Sequence, residues 1–186
     1  AVGGALWVGW REGTIPLALF VDTGGWWIDI GLGLAAGAAL IGAWRLLARL
    51  SDRARELERR LGDMLGPLEP AEVVALALLS GFAEELFFRG AMQGSWGWLP
   101  ATIIFAAIHT GPGPAFRLWT LFAALAGLVL AGLMLWRGNL VAPVVAHVLV
   151  NGVNLGRVVS ESGESPGDGR GEPSPETPPS DSERAG

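Results

Sequence analysis

Long apolar runs separated by short polar breaks organise this chain. Trp26-Trp27 followed by Ile28 to Leu50 is the first unbroken run, with Asp29 near one end and Arg45 and Arg49 near the other. At about 1.5 Å per residue it is long enough for a hydrocarbon core of about 30 Å, with the tryptophans at one interface. Val73 to Met92 is a second run, interrupted by Glu84-Glu85 and Arg89, and reads as a single helix. Ala101 to Thr110 reads as a short apolar helix ending at His109, after a turn over Gly94 to Pro100. Gly111-Pro112-Gly113-Pro114 then cannot continue a helix. Ala115 to Trp136 carries Arg117 as its single charge. Arg137-Gly138-Asn139 turns the chain into the last helix, Leu140 to Val159, which holds His147 and Asn151. The pattern predicts an all-α fold, a multi-pass transmembrane helical bundle of about five to six membrane helices.

The flanks and the connector read differently. Ala1 to Val21 is apolar but broken by Arg11, Glu12, Gly13 and Pro16, and reads as either a truncated span or an interfacial hairpin. It lacks the basic n-region and cleavage site of a signal peptide. Ser51 to Gly66 alternates Arg53, Arg55, Arg59 and Arg60 with Asp52, Glu56, Glu58 and Asp63, and is expected to be a water-exposed connector. With Arg45 and Arg49 these arginines gather near one membrane face, which the positive-inside rule makes cytoplasmic. Pro70 suits a first helical turn, and Glu69 and Glu72 suit a helix N-terminus, so the Glu84 helix starts on that face. From Ser160 on, Ser, Gly, Pro, Glu and Asp dominate, and this tail is expected to be disordered. Four parts follow: an N-terminal apolar segment (1–25), a membrane helix with its charged cytoplasmic connector (26–66), a helical core carrying the chemistry (67–159), and the acidic tail (160–186).

Composition narrows the function classes. The chain has 186 residues, 51% hydrophobic, with no Cys, which removes disulfides, thiolate metal sites and cysteine nucleophiles. The net charge of −5 lies in the tail, where seven acids face two arginines; the body carries eleven of each. A balanced body leaves no basic surface for nucleic acid. No internal repeat suggests an inverted-repeat transporter.

Glu84, Glu85 and Arg89 are costly in such surroundings: about 2.5–3.5 kcal/mol for each charge at a bilayer centre on insertion scales. Glu85 and Arg89 are four apart with the acid first, which suits a structural ion pair. Glu84 projects about 100° away around the helix and lacks that partner, which makes it the candidate reactive group. The two histidines of the chain, His109 and His147, also sit in apolar helices. Asn151 follows His147 by one turn and projects the same way. Each histidine alone could be a satisfied core residue or a helix-end partner. Three helices that each bring polar groups into apolar surroundings are explained most economically by one shared pocket.

In order, these residues form E-E-x-x-x-R (Glu84, Glu85, Arg89), F-x-x-x-H (Phe105, His109) and H-x-x-x-N (His147, Asn151). The set resembles the CPBP intramembrane proteases, which include the type II CAAX prenyl endopeptidases. Gly138, Asn139, Leu140, Ala142 and Pro143 also resemble that family's last motif. The resemblance covers about Pro70 to Val159. It implies a membrane-embedded endopeptidase whose site opens toward the cytoplasm, acting among membrane lipids on a peptide or lipid-modified protein substrate. Two mechanisms fit the residues. In one, Glu84, helped by His109, activates a water while His147 and Asn151 donate to the oxyanion. In the other, Glu84, His109 and His147 hold Zn²⁺. The absence of H-E-x-x-H, and an amide at Asn151 where a second ligand histidine would stand, favour the metal-independent version. The expected cofactor is therefore none, with Zn²⁺ as the alternative. The rivals are a non-catalytic scaffold or bacteriocin-immunity protein that retains the pocket, and a small transporter using the same groups as a relay.

Overall fold

The computed structural model describes residues 2–13, 19–20 and 25–163. Among them every regular element is helical: α1 (Val2–Glu12), α2 (Trp26–Leu50), α3 (Asp52–Leu65), α4 (Pro70–Glu85), a π-helix (Leu86–Gln93), the single turn α5 (Gly94–Trp96), α6 (Trp98–Ile108), α7 (Phe116–Arg137) and α8 (Val141–Gly163). The helices α2 and α7, and α8 from Val141 to Ser160, are long and apolar enough to cross a membrane. The apolar helix α6 is shorter, and α4 reaches membrane length only together with the π-helix. The eleven residues of α1 are too few to cross the core alone. The acidic tail, apart from the last turn of α8, lies outside the described residues, as do 14–18 and 21–24 of the N-terminal segment. That last turn carries α8 past Val159 to Gly163.

Helix α8 is the axis of the bundle, with α2 and α4 pressed onto it. Small residues make the approach possible. A Cβ on Gly33 would stand 2.7 Å from the Ala142 carbonyl oxygen, and one on Gly81 would stand 2.7 Å from Val148 Cγ2. Helices in lipid gain little from hydrophobic exclusion, so close backbone approach through glycine supplies the attraction. Adding only a methyl at position 81 tests this. Gly81→Ala should lower stability by about 1–3 kcal/mol in detergent unfolding. Gly42→Ala, whose Cβ meets nothing within 4 Å, should not.

Three expectations change. The charged connector is not simply water-exposed: α3 buries Ala54, Leu57, Glu58 and Gly62 and packs with Trp44, Ala48 and Phe116. Its leucines at 57, 61 and 65 recur every four residues and give it an apolar face. Its polar face keeps the charges: Arg60 and Arg59 bond Glu56 and hold that carboxyl below the usual carboxylate range. Helix α6 begins at Trp98 rather than 101, because Pro100 is tolerated in a first turn. The run from Val73 to Met92 is not one α-helix. It widens to π geometry at Leu86, immediately after the two glutamates.

The ends of the elements follow familiar chemistry. Glu69 and Glu72 form a capping box at the start of α4, with the Glu69 N–H donating to Glu72 Oε2 at 2.8 Å. Gly138, at φ 70°, closes α7 in the left-handed region where a side chain would be strained. Beside it, buried Asp29 of α2 pairs with Arg137 and accepts from Asn139 Nδ2 at 2.9 Å. Asn139 Oδ1 in turn accepts from the Val141 N–H at 2.9 Å and starts α8.

Candidate functional site

The end of α4 delivers both glutamates, one to each of two tasks. Glu85 is fully buried, and its Oε1 accepts from Arg89 Nη1 at 2.9 Å. The same oxygen lies 2.7 Å from His147 Nδ1 on α8. Glu85 is therefore not reserved for Arg89; it bridges the guanidinium and the imidazole. A carboxylate oxygen can only accept here, so His147 Nδ1 donates and Nε2 is the ring atom left facing the cavity. The Arg89 guanidinium also donates to the Gly127 carbonyl at 3.2 Å and stacks 4.3 Å over the Phe105 ring. A buried arginine in these surroundings needs such a set of partners.

Phe105 is the hub of the aromatic packing. On its other sides stand the His109 ring, with centroids 4.4 Å apart, and the His147 ring at 5.8 Å. His109 caps the C-terminus of α6, and its Nδ1 lies 2.7 Å from the Phe105 carbonyl oxygen. That oxygen only accepts, so Nδ1 donates and Nε2 turns to the cavity as well. Thr120 of α7 donates its hydroxyl to the His109 carbonyl at 2.7 Å and holds this end of α6 in place.

Glu84 lies across from both rings. Its Oε2 stands 3.6 Å from His109 Nε2 and 3.9 Å from His147 Nε2. That oxygen is buried and has no hydrogen-bond partner among the described residues. Asn151 lines the same cavity one turn beyond His147, and its Nδ2 donates to Ser80 Oγ at 2.9 Å. The cavity has a volume of about 490 Å³. Apolar side chains from α3, α4, α7 and α8 form most of its wall, including Leu57, Leu61, Leu76, Trp119 and Val150.

The structure thus brings Glu84, His109, His147 and Asn151 to one cavity, with Glu85, Arg89 and Phe105 directly behind. Sequence reasoning missed Ser80, Trp119 and the α3 wall. Ser80 precedes Glu84 by four residues and shares its helix face, a spacing that could have pointed to it. Nothing in the sequence marks Trp119.

The donor set fits zinc poorly. Ligand atoms about 2.0–2.1 Å from a tetrahedral ion lie about 3.3–3.4 Å from one another. Glu84 Oε2 is farther than that from both imidazoles, at 3.6 and 3.9 Å. No group of three His, Cys, Asp or Glu among the described residues has metal-holding spacing. Glu84 Oε2 and His109 Nε2 both line the cavity, where water can reach them.

The uncharacterized protein YpbD of Bacillus subtilis (strain 168) is 41% identical over 86 residues, 44% of this chain and 42% of that protein. The chain therefore spans less than half the length of that relative. No solved structure matches. Residues 66–153, which hold all four cavity groups and the Glu85–Arg89 pair, match the family described as type II CAAX prenyl endopeptidase Rce1-like. Over that segment, just under half of its length, the chain is similar to the Rce1-like family.

Proposed function

We propose that this chain is a membrane-embedded endopeptidase that hydrolyses a peptide bond near the cytoplasmic face of a cell membrane. The observation that carries the reading is the isolated Glu84 Oε2, buried and facing the Nε2 atoms of both histidines at 3.6 and 3.9 Å. An oxygen that accepts no protein hydrogen bond is open to accept one from water. His109, with its Nδ1 proton held on the Phe105 carbonyl, offers a second acceptor beside it.

In the proposed reaction a water donates one hydrogen to Glu84 and the other to His109. Glu84 takes the proton as the oxygen attacks the substrate carbonyl carbon. The carbonyl π bond opens to an oxyanion, which accepts from the imidazolium Nε2–H of His147 and the remaining N–H of Asn151. Glu85 stabilises that imidazolium through Nδ1 and fixes the ring. The proton on Glu84 passes to the departing amine as the C–N bond breaks, which leaves a carboxylic acid and a free amine. Positioned donors of this kind are each worth about 10²–10³ in rate.

The apolar cavity wall suits a substrate with apolar side chains or a lipid group, and we take the substrate to be a membrane-bound or lipid-modified peptide. Arg53, Arg55, Arg59 and Arg60 share α3 with the cavity-lining Leu57, Leu61 and Leu65, which favours a site that opens to the cytoplasm.

The test is cleavage of a quenched-fluorescence peptide with a lipid-modified C-terminal segment by purified protein in nanodiscs. After exhaustive chelation, with metal content checked by mass spectrometry, cleavage should remain within twofold of the starting rate. A loss that added Zn²⁺ restores would sink the metal-independent mechanism.

A further inference from the structure

Helix α1 lies outside the matched segment 66–153 and takes no part in the chemistry above. It nevertheless runs directly along the π-helix. A Cβ on Gly4 would stand 2.9 Å from Phe87 Cα and 3.0 Å from Phe87 N, so backbone meets backbone there. Trp7 packs edge-on against Phe87 and Trp96, with centroids 5.9 and 5.2 Å away.

At the far end of this contact, Arg11 reaches into the π-helix backbone. Its Nη1 donates to the Ala91 carbonyl at 2.7 Å and to Ser95 Oγ at 2.9 Å. Its Nη2 donates to the Gly90 carbonyl at 3.1 Å. A π-helix bonds each N–H to the carbonyl five residues back, and its exit into ordinary geometry leaves carbonyls poorly matched. A planar guanidinium suits such a pair of adjacent acceptors, because its fork meets both at once. Gly94 keeps the space open: a Cβ there would fall on the guanidinium, 2.6 Å from Arg11 Cζ.

Gly90 is the residue after Arg89, and Arg89 and His147 share Glu85 Oε1. We propose that Arg11 is a positioning residue: by holding the exit of the π-helix it keeps Arg89 against Glu85, and so keeps Glu85 on His147 Nδ1. The catalytic meaning of this link rests on the peptidase reading; the geometric link does not. Gly90 and Ala91 have this guanidinium across their carbonyls, so the path from Arg11 to His147 is a chain of direct bonds rather than mere proximity.

The two histidines make the test clean. In ¹⁵N-histidine-labelled protein in micelles, each ring gives its own Nδ1–H signal: His147 on Glu85 and His109 on the Phe105 carbonyl. Arg11→Gln should broaden or abolish the His147 signal and leave that of His109 in place. Arg11→Lys, which keeps the charge without the fork, should fall between. Gly94→Ala should reproduce Arg11→Gln, because it displaces the guanidinium while keeping Arg11. Where cleavage is measurable, kcat should fall about 10- to 100-fold with KM within twofold, the pattern of a misplaced reacting group. An unchanged His147 signal in folded Arg11→Gln or Gly94→Ala protein would overturn the proposal. So would loss of both ring signals together, which would make Arg11 general packing. If the native protein cleaves nothing, the peptidase reading fails while the ring signals still judge the link.

Discussion

Glu84→Gln should abolish peptide cleavage, by about 10³-fold or more, and leave the unfolding midpoint where it was. General bases of this type contribute about 10²–10⁴-fold, and an amide cannot take the proton from water. The side chain is isosteric, and the carboxylate atom that changes has no protein hydrogen bond to lose. The measurement is single-turnover cleavage in nanodiscs beside thermal unfolding of the same preparation. Cleavage by Glu84→Gln within tenfold of native would remove Glu84 from the base role. A lost fold would make Glu84 structural.

Glu85→Ala should behave in the opposite way. It leaves the Arg89 guanidinium, 1% exposed, without its counter-charge in the centre of the bundle. Removing one member of a buried ion pair costs about 3–5 kcal/mol, because the remaining charge stays buried and uncompensated. His147 loses its Nδ1 acceptor in the same step. Adding Arg89→Ala should recover a large part of the stability, since the orphaned guanidinium is then gone, but none of the activity. Denaturant unfolding of the two single variants and the double variant completes the cycle. Equal destabilisation by the double and by Glu85→Ala alone would show that the pair is not what holds this region.

The contrast between these two adjacent glutamates was legible in the sequence; its cause was only half so. Four-residue spacing pairs Glu85 with Arg89 in any α-helix, and burial of apolar neighbours makes that pair matter. The second partner of Glu85 sits 62 residues away on α8, and no local rule reaches that far. The π-helix was illegible for a related reason. Leu86 to Gln93 has good helix formers, and the wider turn is supported from outside, in part by Arg11. Asp29 likewise looked like a stray acid near a span end; its partners Arg137 and Asn139 lie more than 100 residues on. The helical class and the order of apolar elements came from composition and run length, which are local. The inner face of α3 was hidden because its charges outnumber its leucines, although their four-residue recurrence was there to be seen.

Both ends of α8 are moored by acids from beyond the family segment. Asp29 of α2 grips the turn that opens the helix, through Arg137 and Asn139. Glu58 of α3 accepts from the Trp44 indole at 3.0 Å and lies 3.8 Å from Arg157 near the other end. The cavity residues thus borrow their rigidity from a scaffold outside the matched segment. Transplanting 66–153 by itself into a foreign protein would carry all four cavity groups across and leave behind the moorings that keep His147 and Asn151 in register.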